Sequence, residues 1–206
     1  MIPVKADTAT REQYVQNVLA VFHRATPDQR ARGEAWYRTA HQLAEMISGG
    51  DVVAGAGVIA VLSANKSWAA NRSLAERAFV TGEPSGHTGD NLRKAAKIMA
   101  GVDPAEVLPM DVKTGNFYRC ILDPTDPEAV CIDRHAHDIA VGETYGNRDR
   151  GLSSKRRYAL IAHAYREAAM RLGTLPSTVQ SVTWLVQVES VAGTGTRSRE
   201  HARSAA

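Results

Sequence analysis

The sequence predicts an all-α protein. Three observations carry that expectation. Apolar residues recur at helical spacing along most of the chain, and residues that start or stop helices fall between the stripes. The one strand-like run, Val130-Cys131-Ile132, is three residues long. That is too short to found a sheet.

The elements follow in order. A first helix runs from Thr10 to about Arg24, with Tyr14, Val18, Val21 and Phe22 on one stripe. Thr26-Pro27 opens a second, with proline where its missing N–H costs nothing. Trp36, Ala40, Leu43 and Ile47 form its stripe, and Gly49-Gly50 stops it. Asp51 caps a third helix, DVVAGAGVIAVLSAN, which is apolar nearly all round and therefore central. A fourth spans about Ser67 to Phe79, and the run Gly82 to Gly89 is a loop. Asp90 to Ala100 is the next helix, and Pro104 to Leu108 adds a turn. Lys113 opens KTGNFYRCIL, and Asp133 opens a helix to about Val141. Ser153 is expected to cap a long helix to Leu172, and Pro176 starts a last one through Trp184. The tail from Gly193 to Ala206 lacks apolar content and is expected to be disordered.

Composition narrows the function classes. The 206 residues suit one compact unit with a substantial core. A net charge of +3 does not by itself demand a polyanion. The charge is uneven, however: from Ser153 onward there are eight Lys/Arg against three Glu. That region suits phosphates, or simply a solvated basic face. Two cysteines, Cys120 and Cys131, are too few for a four-cysteine metal or iron–sulfur site, although one disulfide stays open. The polar start reads as no signal peptide, and no apolar run approaches the roughly 18 residues that span a bilayer. A cytoplasmic monomer with no membrane partner is the expectation.

Lys113 and Asp133 carry the chemistry. They lie 20 positions apart, joined by the turn-rich DPTDPEA. A deprotonated lysine amine can attack a sugar carbon and form a Schiff base, and a nearby carboxylate can stabilise the developing oxocarbenium ion. Lysine in a first helical turn opposes the helix dipole, so it lacks an easy structural role there. Asp133 has one, as an N-cap. His135 and His137 do not share a helix face, so no metal site is expected.

Four segments, in order, resemble the helix-hairpin-helix DNA glycosylase superfamily, which has the endonuclease III-like fold. VIAVLSANKSW is similar to the family helix ending in Leu-Ser-Ala-Gln, and NLRKAAKIMAG to the helix before the hairpin. EVLPMDVKTGNFY is similar to the hairpin, which the family writes Leu-Pro-Gly-Val-Gly-x-Lys-Thr-Ala. VCIDRHAHDIAVG is similar to Val-Asp-Thr-His-Val-x-Arg-Val. They cover about Val52 to Gly142, roughly half the chain.

The resemblance implies a two-lobed fold in one unit, residues 1–192. The core lobe would cover about 51–142, and the second lobe 10–50 with 152–190. It puts Lys113 at the Schiff-base lysine and Asp133 at the catalytic aspartate. Asn65 falls at the residue that fills the gap left by a flipped base. The implied reaction is base flipping followed by attack at the sugar carbon, without cofactor or metal. Trp68 and Asn71, three apart on one face, are candidates for base recognition, though core packing explains them too. Tyr118 is a further candidate for base recognition, although it and Phe117 read more readily as core. Arg134, Lys155, Arg156 and Arg157 are the candidate DNA contacts.

Two departures qualify the resemblance. The hairpin lacks its glycines, and Asp111 stands where a phosphate would approach. The cysteine cluster of some branches is missing. The Asn-Phe-Tyr after Lys113-Thr114, the Asp133-Arg134-His135-Ala136 run and the Trp68/Asn71 pair are also similar to a phage branch. Its enzymes modify hydroxymethylated thymine derivatives in DNA. A phage-type transferase is therefore the alternative reading, with host cytoplasm as its location. A non-catalytic DNA-binding protein is the third.

Overall fold

The structure is a computed structural model. It describes residues 4–190 in full and, beyond them, only the backbone course of the last helix to residue 204. The tail reading over 193–206 lies outside the fully described residues. Among the described residues there are ten α-helices and no strand. They are α1 (Thr8–His23), α2 (Pro27–Ile47), α3 (Val52–Val61), α4 (Trp68–Thr81) and α5 (Gly89–Met99). The second half holds α6 (Pro104–Val107), α7 (Lys113–Leu122), α8 (Arg134–Val141), α9 (Lys155–Leu172) and α10 (Pro176–Ser204).

The helix starts follow their local chemistry. Thr26 and Gln29 exchange side-chain and backbone bonds in a capping box ahead of Pro27. Asp51 accepts the Ala54 N–H at 3.0 Å, and Ser67 accepts that of Ala70 at 3.3 Å. One cap differs from expectation: Ser154, not Ser153, accepts the Arg157 N–H and starts α9. The last helix also continues well past Trp184.

Val130-Cys131-Ile132 forms no strand. The buried Tyr158 hydroxyl replaces the missing ladder. It accepts the Ile132 N–H at 2.8 Å and donates to the Val130 carbonyl at 2.7 Å. A short run in a helical protein thus satisfies its buried polar groups through a side chain.

The apolar residues gather in two clusters. One joins α2 to α7 around α3, whose Ala54–Val61 face is buried throughout. The other joins α1, α8, α9 and α10, with Val130 and Ile132. These clusters divide the chain differently from the expected lobes, since α2 sits with α3 and α8 sits with α1 and α9. Helix α10 packs against both α2 and α9. No single helix among the described residues is long and apolar enough to cross a membrane.

Two glycines allow close approaches that shape the site. A Cβ on Gly33 would press into Val182, so α2 and α10 cross tightly, and Ser181 Oγ donates to the Gly33 carbonyl at 2.7 Å. A Cβ on Gly115 would collide with the Met110 backbone. The loop between α6 and α7 therefore lies directly on the first turn of α7.

Candidate active site

Lys113 and Asp133 line one cavity of about 120 Å³. Each is placed by a helix start. Lys113 is the first residue of α7, which has no side-chain cap of its own. Asn116 instead donates to the carbonyls of Met110 and Val112, fixing the preceding loop. Asp133 is the N-cap of α8 and accepts the Ala136 N–H through Oδ1 at 2.8 Å. Capping engages one carboxylate oxygen and leaves Oδ2 for other work. Lys113's side-chain nitrogen has no hydrogen-bond or ion-pair partner among the described residues.

Cys131 shares the cavity wall with these groups. Burial pushes its thiol up to about 12, with Asp133 adding to the rise and Lys113 opposing it. It stays protonated at neutral pH and is no nucleophile. Cys120 is likewise buried and pushed up, and the two cysteines are free thiols.

The rest of the wall is aromatic. All three tryptophans of the chain line the cavity: Trp36 from α2, Trp68 from α4 and Trp184 from α10. The Trp36 ring lies 5.4 Å from that of Trp68 and 5.4 Å from that of Trp184, tilted by 50° and 46°. Phe117 borders the same space and meets Tyr37 edge-on at 6.3 Å. The Tyr37 hydroxyl donates to Gln180 Oε1 at 2.8 Å, tying α2 to α10 in the cavity wall.

The other candidates divide. Trp68 and Asn71 face the cavity beside Lys113 and Asp133. Tyr118 does not; it is buried in the α2–α7 cluster, and its neighbour Phe117 lines the cavity instead. Asn65 is exposed in the turn before α4, at φ 56°. Asparagine tolerates that left-handed conformation better than most residues. Lys66, next to it, reaches the cavity and donates to the Gly86 carbonyl.

The basic candidates lie apart from the cavity wall. Arg134 is exposed at the start of α8. Lys155 pairs with Asp111 at 2.5 Å, both side chains exposed. Arg156 and Arg157 line a separate, more open groove of about 490 Å³ with Arg11 and His163. Arg157 also donates to the Arg150 carbonyl. This groove is larger but holds no nucleophile beside a carboxylate, so the smaller cavity is the stronger candidate site.

His135 is half-buried beside Arg134, whereas His137 is fully buried. His137 Nδ1 lies 3.0 Å from Asp138, and Asp138 receives a two-pronged bond from Arg150 at 3.0 and 2.6 Å. This buried trio pins the loop after α8 to the helix.

Sequence reasoning missed Trp36 as a site residue and left out Trp184 and Gln180. The available signal was that α2 and α10 each carry a small residue three positions before their tryptophan, Gly33 and Ser181.

A family model described as "Family of unknown function (DUF7178)" matches residues 1–191. The chain belongs to that family. No curated protein and no solved structure matches this DUF7178 member. The cavity, with its lysine, its capped aspartate and its three indoles, lies wholly within the stretch that defines the DUF7178 family.

Proposed function

We propose that the protein is a DNA base-processing enzyme with a two-lobed, helix-hairpin-helix glycosylase-like architecture. It flips a base from the helix and cleaves its N-glycosidic bond. The observation that carries this reading is that Lys113 and Asp133 share one small cavity with an aromatic wall. Aromatic rings hold a flipped base by stacking, and the volume excludes a large cofactor.

In this mechanism Lys113 attacks the sugar carbon that bears the base. The glycosidic bond breaks, and its electron pair leaves on the base, which takes up a proton. The aminated sugar then opens to an imine. Asp133 steadies the positive charge that develops on the sugar through the oxygen not used in capping. Its bond to the Ala136 N–H holds the carboxylate in position before substrate arrives. Asn65, at the exposed turn beside the cavity, fills the gap in the duplex. Arg134, Arg156, Arg157 and Lys155 supply phosphate contacts.

The alternative is a transferase that modifies a hydroxymethylated thymine derivative and leaves the glycosidic bond intact. Asp111 favours it. The hairpin loop carries a carboxylate, and Lys155 is already paired to it. Such a loop grips a phosphate less well than a glycine-rich one.

Borohydride trapping separates the two. On the first reading, the reductant fixes a covalent protein–DNA adduct, and Lys113→Ala abolishes the adduct but not binding. Binding to DNA with modified thymines, with no adduct on any damaged or abasic substrate, would move the assignment to the transferase.

A further inference from the structure

Asn71 stands out among the cavity residues. It lies on α4 one turn after Trp68 and is 2% exposed. Neither its Oδ1 nor its Nδ2 has a hydrogen-bond partner, and solvent reaches neither atom. Among the described residues, the only other buried side-chain polar atom in that condition is His137 Nε2. Buried carboxamides are normally satisfied, so an orphan of this kind calls for a specific explanation.

The neighbours show that the omission is local. Ser63 Oγ donates to the Ala60 carbonyl, Ser181 Oγ to the Gly33 carbonyl, and Gln180 Oε1 accepts from Tyr37. Each of these groups has an internal partner, whereas Asn71 keeps a donor and an acceptor unspent. They lie side by side in one plane, on a residue that lines the same cavity as the three indoles.

The complement of a carboxamide is a planar group with an adjacent acceptor and donor. Nucleobases carry such edges. The cavity, at about 120 Å³, is well below the roughly 300–1,000 Å³ of drug-sized ligand sites, and suits one ring better than two. We propose that Asn71 is the specificity-determining residue of the site, reading the N3 edge of a single-ring pyrimidine stacked on the tryptophans. The proposal rests on the base-processing reading for the sugar to which that ring is attached. A uracil-type ring gives its N3–H to Oδ1 and accepts from Nδ2 at a neighbouring carbonyl. A cytosine-type ring pairs with the same group turned over. Both amide atoms are closed to water, so the ring reaches them only by displacing the side chain that covers them, and a ring arriving in a cavity lined by all three tryptophans perturbs their emission.

The test uses two small probes, 1-methyluracil and 1,3-dimethyluracil. They differ by a methyl group on N3, while the methyl on N1 stands where the sugar would be. Every tryptophan of the chain borders the cavity, so fluorescence reports on this site. The full-length protein should bind 1-methyluracil at least tenfold more tightly than 1,3-dimethyluracil. Asn71→Leu, similar in shape but apolar, should lose that discrimination. Asn71→Ala serves the same purpose should leucine not fit. Equal binding of the two probes by the wild type, no response to either up to solubility, or discrimination retained without Asn71 would overturn the proposal. A failed borohydride trap with intact discrimination removes the glycosidic chemistry alone. A successful trap with equal probe binding removes the edge reading alone.

Discussion

The phenolic oxygen of Tyr158 accepts the backbone N–H of Ile132 at 2.8 Å, one residue before Asp133. The same hydroxyl donates to the Val130 carbonyl. One side chain on α9 therefore sets the path by which the chain enters α8, and with it the position of the candidate carboxylate. Tyr158→Phe keeps the ring and removes both bonds. It should cost roughly 1–3 kcal/mol in urea unfolding, the penalty for leaving a buried donor unmet. A loss below about 0.5 kcal/mol would mean that the Val130–Ile132 run finds other partners.

Asp133 has two separable jobs. Asp133→Ala removes the cap and should cost about 0.5–2 kcal/mol, whereas Asp133→Asn keeps an acceptor and should melt within a few tenths of the wild type. Both should lose catalysis if the charge is what acts on the sugar. An Asn variant with full activity would leave Asp133 as a cap only.

Arg150 and Asp138 form a buried pair, with both side chains under 10% exposed. Arg150→Met leaves a buried carboxylate without its main partner and should destabilise by about 3–5 kcal/mol. The double variant Arg150→Met/Asp138→Leu should recover much of that loss. Chemical denaturation of the three proteins checks both statements.

Burial holds His137 below its ordinary value, despite the opposing pull of its bond and proximity to Asp138; Arg150 and Arg157 lower it further. The folded protein therefore takes up the proton at lower pH than the unfolded chain does. Stability is fully present above about 6.5 and falls as pH drops from there towards the lowered folded value. Asp138 has a different window. Burial raises its carboxyl, but Arg150 and His137 outweigh that and bring it below its ordinary value. Its contribution is lost only as pH falls through the acid range below 3.8. Melting temperature measured from pH 7 to 5 should drop in the wild type and drop less in His137→Gln.

DNA binding should weaken steeply with salt. Arg156→Ala with Arg157→Ala should flatten the slope of log K against log salt by up to about two units, near 0.9 for each phosphate no longer neutralised. Asp111→Asn should act in the opposite direction, because it releases Lys155 and removes a negative charge from the loop before α7. It should change stability little, since exposed pairs contribute about 0–1 kcal/mol. Filter binding at several salt concentrations measures the wild type and both variants.

Much of the secondary structure was readable because its signals are local. Thr26-Pro27, Asp51, Ser67 and Asp133 each announce a helix within three or four residues, through the N–H groups that a helix start leaves free. Lys113 and Asp133 were readable as a pair for a different reason, the amine and carboxylate chemistry together with the order of the Lys-Thr and Asp-x-His segments. The aromatic wall was not. Trp36 and Trp184 meet only because Gly33 lets α2 press against Val182 of α10, a meeting of residues about 150 positions apart. Tyr158 looked like one more stripe residue of α9; only the fold shows that its hydroxyl replaces a strand partner. The cap at Ser154 in place of Ser153 is a one-residue ambiguity that neighbouring serines do not resolve.

The cavity takes its walls from both ends of the sequence, Trp36 near the start and Trp184 near the finish. A chain growing on the ribosome therefore exposes its lysine and its aspartate well before the third indole emerges. Until α10 docks, a ring in the half-built site would have solvent on one side. On the proposed function, a partly synthesised chain would thus offer a ring only an open half-site until residues through Trp184 have emerged.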